Sequence, residues 1–235
     1  MREASSFYHK LCIDTDTAFL YIIFFTHATS RTFSILNGDF SMFKKFLEKI
    51  GKKQLFWSTK GETNTEIIDY GNFFNQVRTA LILMPEQLDN FSVAINRQQD
   101  LAKLMPETRF SVFIREQNAS LIPNDLQNNT IRLTENDLTP IGVPTRRFLG
   151  KIAENHYDVI IDLNPDFDLV STYVCKKAKA KLSICLCHPQ REPFYNLQFC
   201  APESDTIDQK IDMMVKYISQ FLASGASSNA DLQPA

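Results

Sequence analysis

Residues 157–168 read YDVIIDLNPDFD. The run from Val159 to Leu163 is apolar and largely β-branched, broken only by Asp162. A strand with one wet face alternates apolar and polar residues, whereas a strand covered on both faces reads as a near-continuous apolar run. Asn164 and Pro165 then make a turn. Asp168 stands as an N-cap ahead of LVSTYVCKKAKA, which has helical character. Strand, turn and capped helix in that order predict the centre of a layered α/β domain.

The same grammar extends outward in both directions. Residues 79–84, TALILM, form a buried-strand pattern that Pro85 ends. Asp89 or Ser92 caps a helix to Leu104, whose apolar side includes Phe91, Ala94, Ile95 and Leu101. RFSVFI at 109–114 and residues 130–133 are further strands. A helix with Pro144 in its first turn runs to about Asn155. After the central strand and its helix at 169–179 come a strand at 182–187, a short strand within 194–199, and a final amphipathic helix through Leu222 capped by Ser204 or Asp205. Crossover helices between buried strands predict an α/β, Rossmann-like three-layer sandwich with a mostly parallel sheet. Residues 78–222 are assigned to this domain, and 223–235 to a flexible tail rich in Ser and Ala.

Residues 1–77 read as an N-terminal extension or subdomain. TAFLYIIFF at 17–25 is too short to span a bilayer, and Asp14 and Asp16 beside it argue against a signal peptide, so membrane insertion is not expected. MFKKFLEKIG from Met42 reads as a natural soluble start, leaving 1–41 as an upstream piece. Phe43, Phe46, Leu47 and Ile50 fall at helical spacing, and Gly51 is expected to stop that helix. Residues 54–58 are expected as a short strand, and 66–77 show partial helical periodicity.

With 235 residues and 44% hydrophobic content, the chain can bury a substantial core. A net charge of -2 gives no general attraction to nucleic acid or to anionic membrane. The five cysteines are an odd set, poor as a disulfide framework, and predict a reducing, cytoplasmic setting.

A ligand on such a sheet lies beyond the carboxyl ends of the strands, near a change in strand order. The ligand-binding candidates there are Glu86, Asp89, Asn164, Asp166 and His188. The first loop, PEQLD, has no glycine to let a pyrophosphate approach, and no dinucleotide or Walker fingerprint occurs. No cofactor is assigned. The acidic group Asp162, Asn164, Asp166 and Asp168 opens like a calcium loop, but Phe167 and Tyr173 occupy the positions that need Gly and Glu. The favoured reading is structural: turn, helix cap, and a buried Asp162 accepting hydrogen bonds. Cys185, Cys187 and His188 lack zinc spacing, so no metal is assigned. The basic run Lys176, Lys177, Lys179 and Lys181 reads as a solvated helix face, not a nucleic-acid patch.

The strand ALILM, the stretch LAKLMPETRFSVFI, and FLGKIAENHYDVIIDLNPDFDLVSTYVCKKAKAK together resemble the N-terminal Rossmann-like half of the ADP-heptose:lipopolysaccharide heptosyltransferase family, of GT-B type. The resemblance covers roughly half the chain. It implies a glycosyltransferase-like, bacterial protein and a nucleotide-sugar ligand. In that family the first loop carries Gly-Asp, the Asp serving as base; here the loop lacks it, so no catalytic residue is assigned. The family has two facing domains, and after Asp205 this sequence reads as one helix and a tail. The main expectation is therefore a non-catalytic domain acting through a homodimer or another protein partner. The alternative is a nucleotide-sugar or sugar-phosphate binding transferase completed by dimerisation.

Overall fold

The computed structural model describes residues 39–58 and 68–230, with side chains for 45–58 and 68–225. Expectations for residues 1–38, 59–67 and 231–235 lie outside the described residues. Residues 1–45 and 46–235 cluster as separate units, and the second contains the whole sheet.

The elements in chain order are α1 (Asp39–Ser58), α2 (Tyr70–Gln76), β1 (Thr79–Leu83), α3 (Leu88–Leu104), β2 (Arg109–Arg115), β3 (Thr130–Leu133), α4 (Arg146–Glu154), β4 (Val159–Asp162), α5 (Leu169–Ala178), β5 (Leu182–Leu186), β6 (Leu197–Phe199) and α6 (Ile207–Ala230). The strands form one six-stranded sheet in the order β3-β2-β1-β4-β5-β6. Each neighbouring pair is parallel. The chain builds outward from β1 to β3, returns to the centre, and builds the other way from β4 to β6. The expected Rossmann-like three-layer architecture is present, and β4 lies at its centre.

Burial explains the apolar run. Val159, Ile161 and Leu163 pack on one face with α2, α3 and α6, through Phe74, Phe91, Leu101, Ile211 and Met214. Ile160 packs on the other face with Phe148, Ile152, Val170 and Val174 of α4 and α5. With both faces covered, alternation disappears. At the amino edge, Asp158 Oδ2 accepts from the amides of Arg78 and Thr79, both at 2.9 Å, and from Thr79 Oγ1 at 3.0 Å. It ties the starts of β1 and β4 together.

Several local readings change. Gly51 does not stop α1, and residues 54–58 are its last turns rather than a strand. Gly51 serves close approach: a Cβ there would lie 2.8 Å from Val143 Cγ2 and 2.9 Å from the Ile141 carbonyl oxygen. Tyr173 also donates its hydroxyl proton to the Gly51 carbonyl at 3.1 Å. The cap of α3 is Gln87, with Asp89 inside the first turn. Thr145 rather than Pro144 precedes α4, accepting from the Phe148 amide. At α6, Thr206 Oγ1 accepts from the Gln209 amide while Gln209 Oε1 accepts from the Thr206 amide, a reciprocal cap. That cap lies one residue past the expected Asp205.

Candidate functional site at the carboxyl edge

The strand order reverses between β1 and β4, so the loops that leave their carboxyl ends diverge. In open α/β sheets a crevice forms at such a point. Two polar groups occupy this edge.

The first is a buried knot under the β4 loop. Asp162 and Arg191 are both 0% exposed, with Arg191 Nη2 at 3.5 Å from Asp162 Oδ2. Asp162 Oδ2 accepts from the Tyr195 hydroxyl at 2.5 Å. Asp162 Oδ1 accepts from the Asn164 amide at 2.9 Å and from Asn164 Nδ2 at 2.7 Å. Arg191 donates from Nη1 to the carbonyls of Asn164 at 2.9 Å and Leu186 at 3.4 Å, and from Nη2 to the carbonyl of Asp166. Burial alone opposes the Arg191 charge, but Asp162 and the neighbouring Tyr195 and Cys185 outweigh it and raise its pKa. Burial, reinforced by Asp162, drives the Tyr195 pKa well above its ordinary value. The reading of Asp162 as a buried acceptor therefore holds, and its oxygens are engaged by three neighbouring side chains.

The second group joins the loops that follow β1 and β4. Arg115, at the end of β2, places Nη2 3.4 Å from Glu86 Oε2 after β1 and 3.6 Å from Asp168 Oδ2 after β4. Asp168 also caps α5, its Oδ1 accepting from the Ser171 amide at 2.6 Å. Asn118 secures the β1 loop by donating to the Glu86 carbonyl at 2.9 Å. Glu86 is half-exposed while Arg115 is largely covered.

The structure thus sorts the sequence-predicted residues. Asn164, Asp166 and the carbonyl of His188 gather around Arg191, whose own amide donates to His188 at 2.9 Å. Glu86 belongs to the Arg115 group. Asp89 stands apart, exposed on the first turn of α3. The His188 ring lies 6.4 Å from the Phe167 ring. Its pKa is lowered by burial and by Arg191 and Lys52, against Asp166. Lys52 reaches over from α1 to sit 4.6 Å from the centre of the Phe167 ring and to donate to Gln190.

The cysteines depart from expectation. Cys187 and Cys200, immediately past the ends of β5 and β6, are joined as a disulfide with Cα atoms 4.7 Å apart. Parallel pairing of Leu186 with Phe199 brings them together. Cys175 and Cys185 are buried thiols. Burial raises Cys185 to about 12, with Asp162 adding to the rise and Arg191 opposing it. Among the described residues, no group of three or more His, Cys, Asp or Glu is placed to hold a metal ion.

Sequence reasoning did not single out Arg115, Arg191 or Tyr195. Arg115 extends the strand pattern RFSVFI by one residue. Arg191 sits in the polar turn HPQRE, where charge ordinarily means solvent.

Among solved structures, the chain is similar to the E. coli heptosyltransferase WaaC with ADP-2-deoxy-2-fluoro heptose, at 16% identity and a TM-score of 0.45, over 59% of this chain and 47% of that one. It is also similar to a glycosyl transferase family 9 protein from Veillonella parvula DSM 2008, at 15% identity and a TM-score of 0.45, over 62% of this chain and 41% of that one. The chain spans less than half the length of either protein. No curated protein matches it. The profile of one family, described as a family of unknown function, matches residues 39–221, most of the sequence. On that match the chain belongs to the family of unknown function DUF6913.

Proposed function

We propose that the domain binds a nucleotide-sugar or sugar phosphate in the crevice between the carboxyl ends of β1 and β4, with a second copy completing a transferase-type site. The observation that carries this reading is the reversal of strand order between β1 and β4, with Arg115 held at that point. A guanidinium suits phosphate because its planar fork offers paired donors. The ion pairs of Arg115 with Glu86 and Asp168, at 3.4 and 3.6 Å, are longer than well-formed charge-assisted bonds of about 2.7–2.9 Å. A phosphate oxygen that approaches closer competes for the same cation. Glu86, half-exposed on the crevice wall, is then left to meet a sugar hydroxyl.

A second reading, a domain without catalysis that works through a protein partner, draws on the engagement of Asp162, which leaves that carboxylate unsuited to act as a base. Calorimetric titration of the full chain with ADP-sugars, UDP-sugars and hexose phosphates tests the choice. Saturable heat with one of them, and affinity at least tenfold weaker in Arg115→Ala, is the expected result. The absence of heat with every ligand, or equal affinity in the variant, sinks the binding reading and leaves the second.

A further inference from the structure

Helix α1 turns an apolar ridge toward solvent. Phe46 is 58% exposed, Ile50 40% and Trp57 70%. At 3.6 residues per turn these three fall on one face, along about 17 Å of helix at ~1.5 Å per residue. Lys49 and Lys53 are exposed beside them. Glu48 points elsewhere, toward Gly142. The opposite face is anchored: Leu55 is buried, the Phe56 ring packs edge-on against Phe194 at 5.1 Å, and Lys176 donates to the Ser58 carbonyl at 2.7 Å.

We propose that this ridge rests on an anionic lipid surface, with α1 parallel to the bilayer. Aromatic and aliphatic side chains with interleaved lysines are the composition of helices that settle at the headgroup boundary. Lysine stems lie along apolar surface while their ammonium groups reach lipid phosphates. Two alternatives fit less well. The three side chains expose on the order of 350 Å², well under the ~800 Å² per partner of a stable protein interface. A second copy would also bring Lys49 and Lys53 against their own equivalents. A fluid surface needs no matching groove for a convex ridge. Among the described residues no helix is long and apolar enough to cross a membrane. The inference does not depend on the crevice ligand.

Trp57 is the sole tryptophan of the chain, so its emission reports this face alone. Vesicles of phosphatidylcholine with phosphatidylglycerol should shift its emission to the blue, and high salt should reverse the shift. K49E/K53E should abolish the shift while leaving the thermal unfolding midpoint unchanged. F46S/I50S should lower co-sedimentation at least tenfold. The proposal is overturned by an unmoved spectrum with anionic vesicles, or by an equal shift with pure phosphatidylcholine. A shift that grows with protein concentration without lipid points to a second copy and also overturns it. So does a response to an acidic helical peptide but not to vesicles.

Discussion

Replacing Arg191 by methionine keeps most of the aliphatic volume of the side chain and removes its charge. Asp162 is then left 0% exposed, with Tyr195 and Asn164 as its remaining partners. At 3.5 Å and an effective dielectric of about 20, the lost attraction is about 5 kcal/mol. The carbonyls of Asn164, Leu186 and Asp166 lose their donor as well, at ~1–3 kcal/mol for each that stays dry. These losses overlap, because the loop relaxes once for all of them. The expected net destabilisation is about 3–5 kcal/mol, the range for breaking one side of a buried ion pair. That is a large share of the ~5–15 kcal/mol stability of an ordinary domain. Urea unfolding followed by far-ultraviolet circular dichroism reads it. The double variant Asp162→Leu/Arg191→Met should recover part of the loss, since removing both charges leaves no orphan. A loss below about 1 kcal/mol in Arg191→Met, with an unchanged denaturant slope, refutes the reasoning.

Two other outcomes follow from single sites. Burial raises the pKa of Asp158, but amide and hydroxyl donation from Arg78 and Thr79 outweighs it and leaves the group below its ordinary 3.8. The stability this carboxylate contributes is therefore present above 3.8 and lost as pH falls through the lower folded value. Asp158→Ala should cost about 1–3 kcal/mol at neutral pH and flatten the acid limb of the stability–pH curve; an unchanged acid limb contradicts the assignment. Alkylation mapped by mass spectrometry should label Cys187 and Cys200 only after reduction. Cys175 and Cys185 should resist until the chain unfolds, because burial raises both thiols. Labelling of Cys185 in the folded protein would contradict its place in the sheet.

Much of the fold was legible because burial leaves a mark on local pattern. VIIDL reads as a doubly covered strand, and Asp168 reads as a cap, since both facts depend on near neighbours. Gly51 was misread because the stop signal of glycine concerns backbone freedom. Here glycine answers to Val143 and Ile141, ninety or more positions away in the sequence. Arg191 was illegible for a related reason. Its acceptors sit on the β4 loop and at the end of β5, and nothing in the turn HPQRE announces a dry guanidinium. The Cys187–Cys200 pair needs the knowledge that β5 and β6 are parallel neighbours in a given register, which no spacing rule supplies. The cation that ties the β1 loop to the β4 loop, Arg115, is contributed by β2 rather than by either of the strands that diverge.

The central claim is that a phosphate-bearing sugar seats between the β1 and β4 loops against Arg115. Its most direct test is an amide nitrogen–proton NMR titration of the full chain with the tightest-binding nucleotide-sugar or sugar phosphate. The expected result is saturable movement of the amides of Glu86, Gln87, Arg115 and residues 164–168, with the N-terminal amides of α6 unmoved. Saturable movement confined to another part of the sheet, or none at all at millimolar ligand, contradicts it.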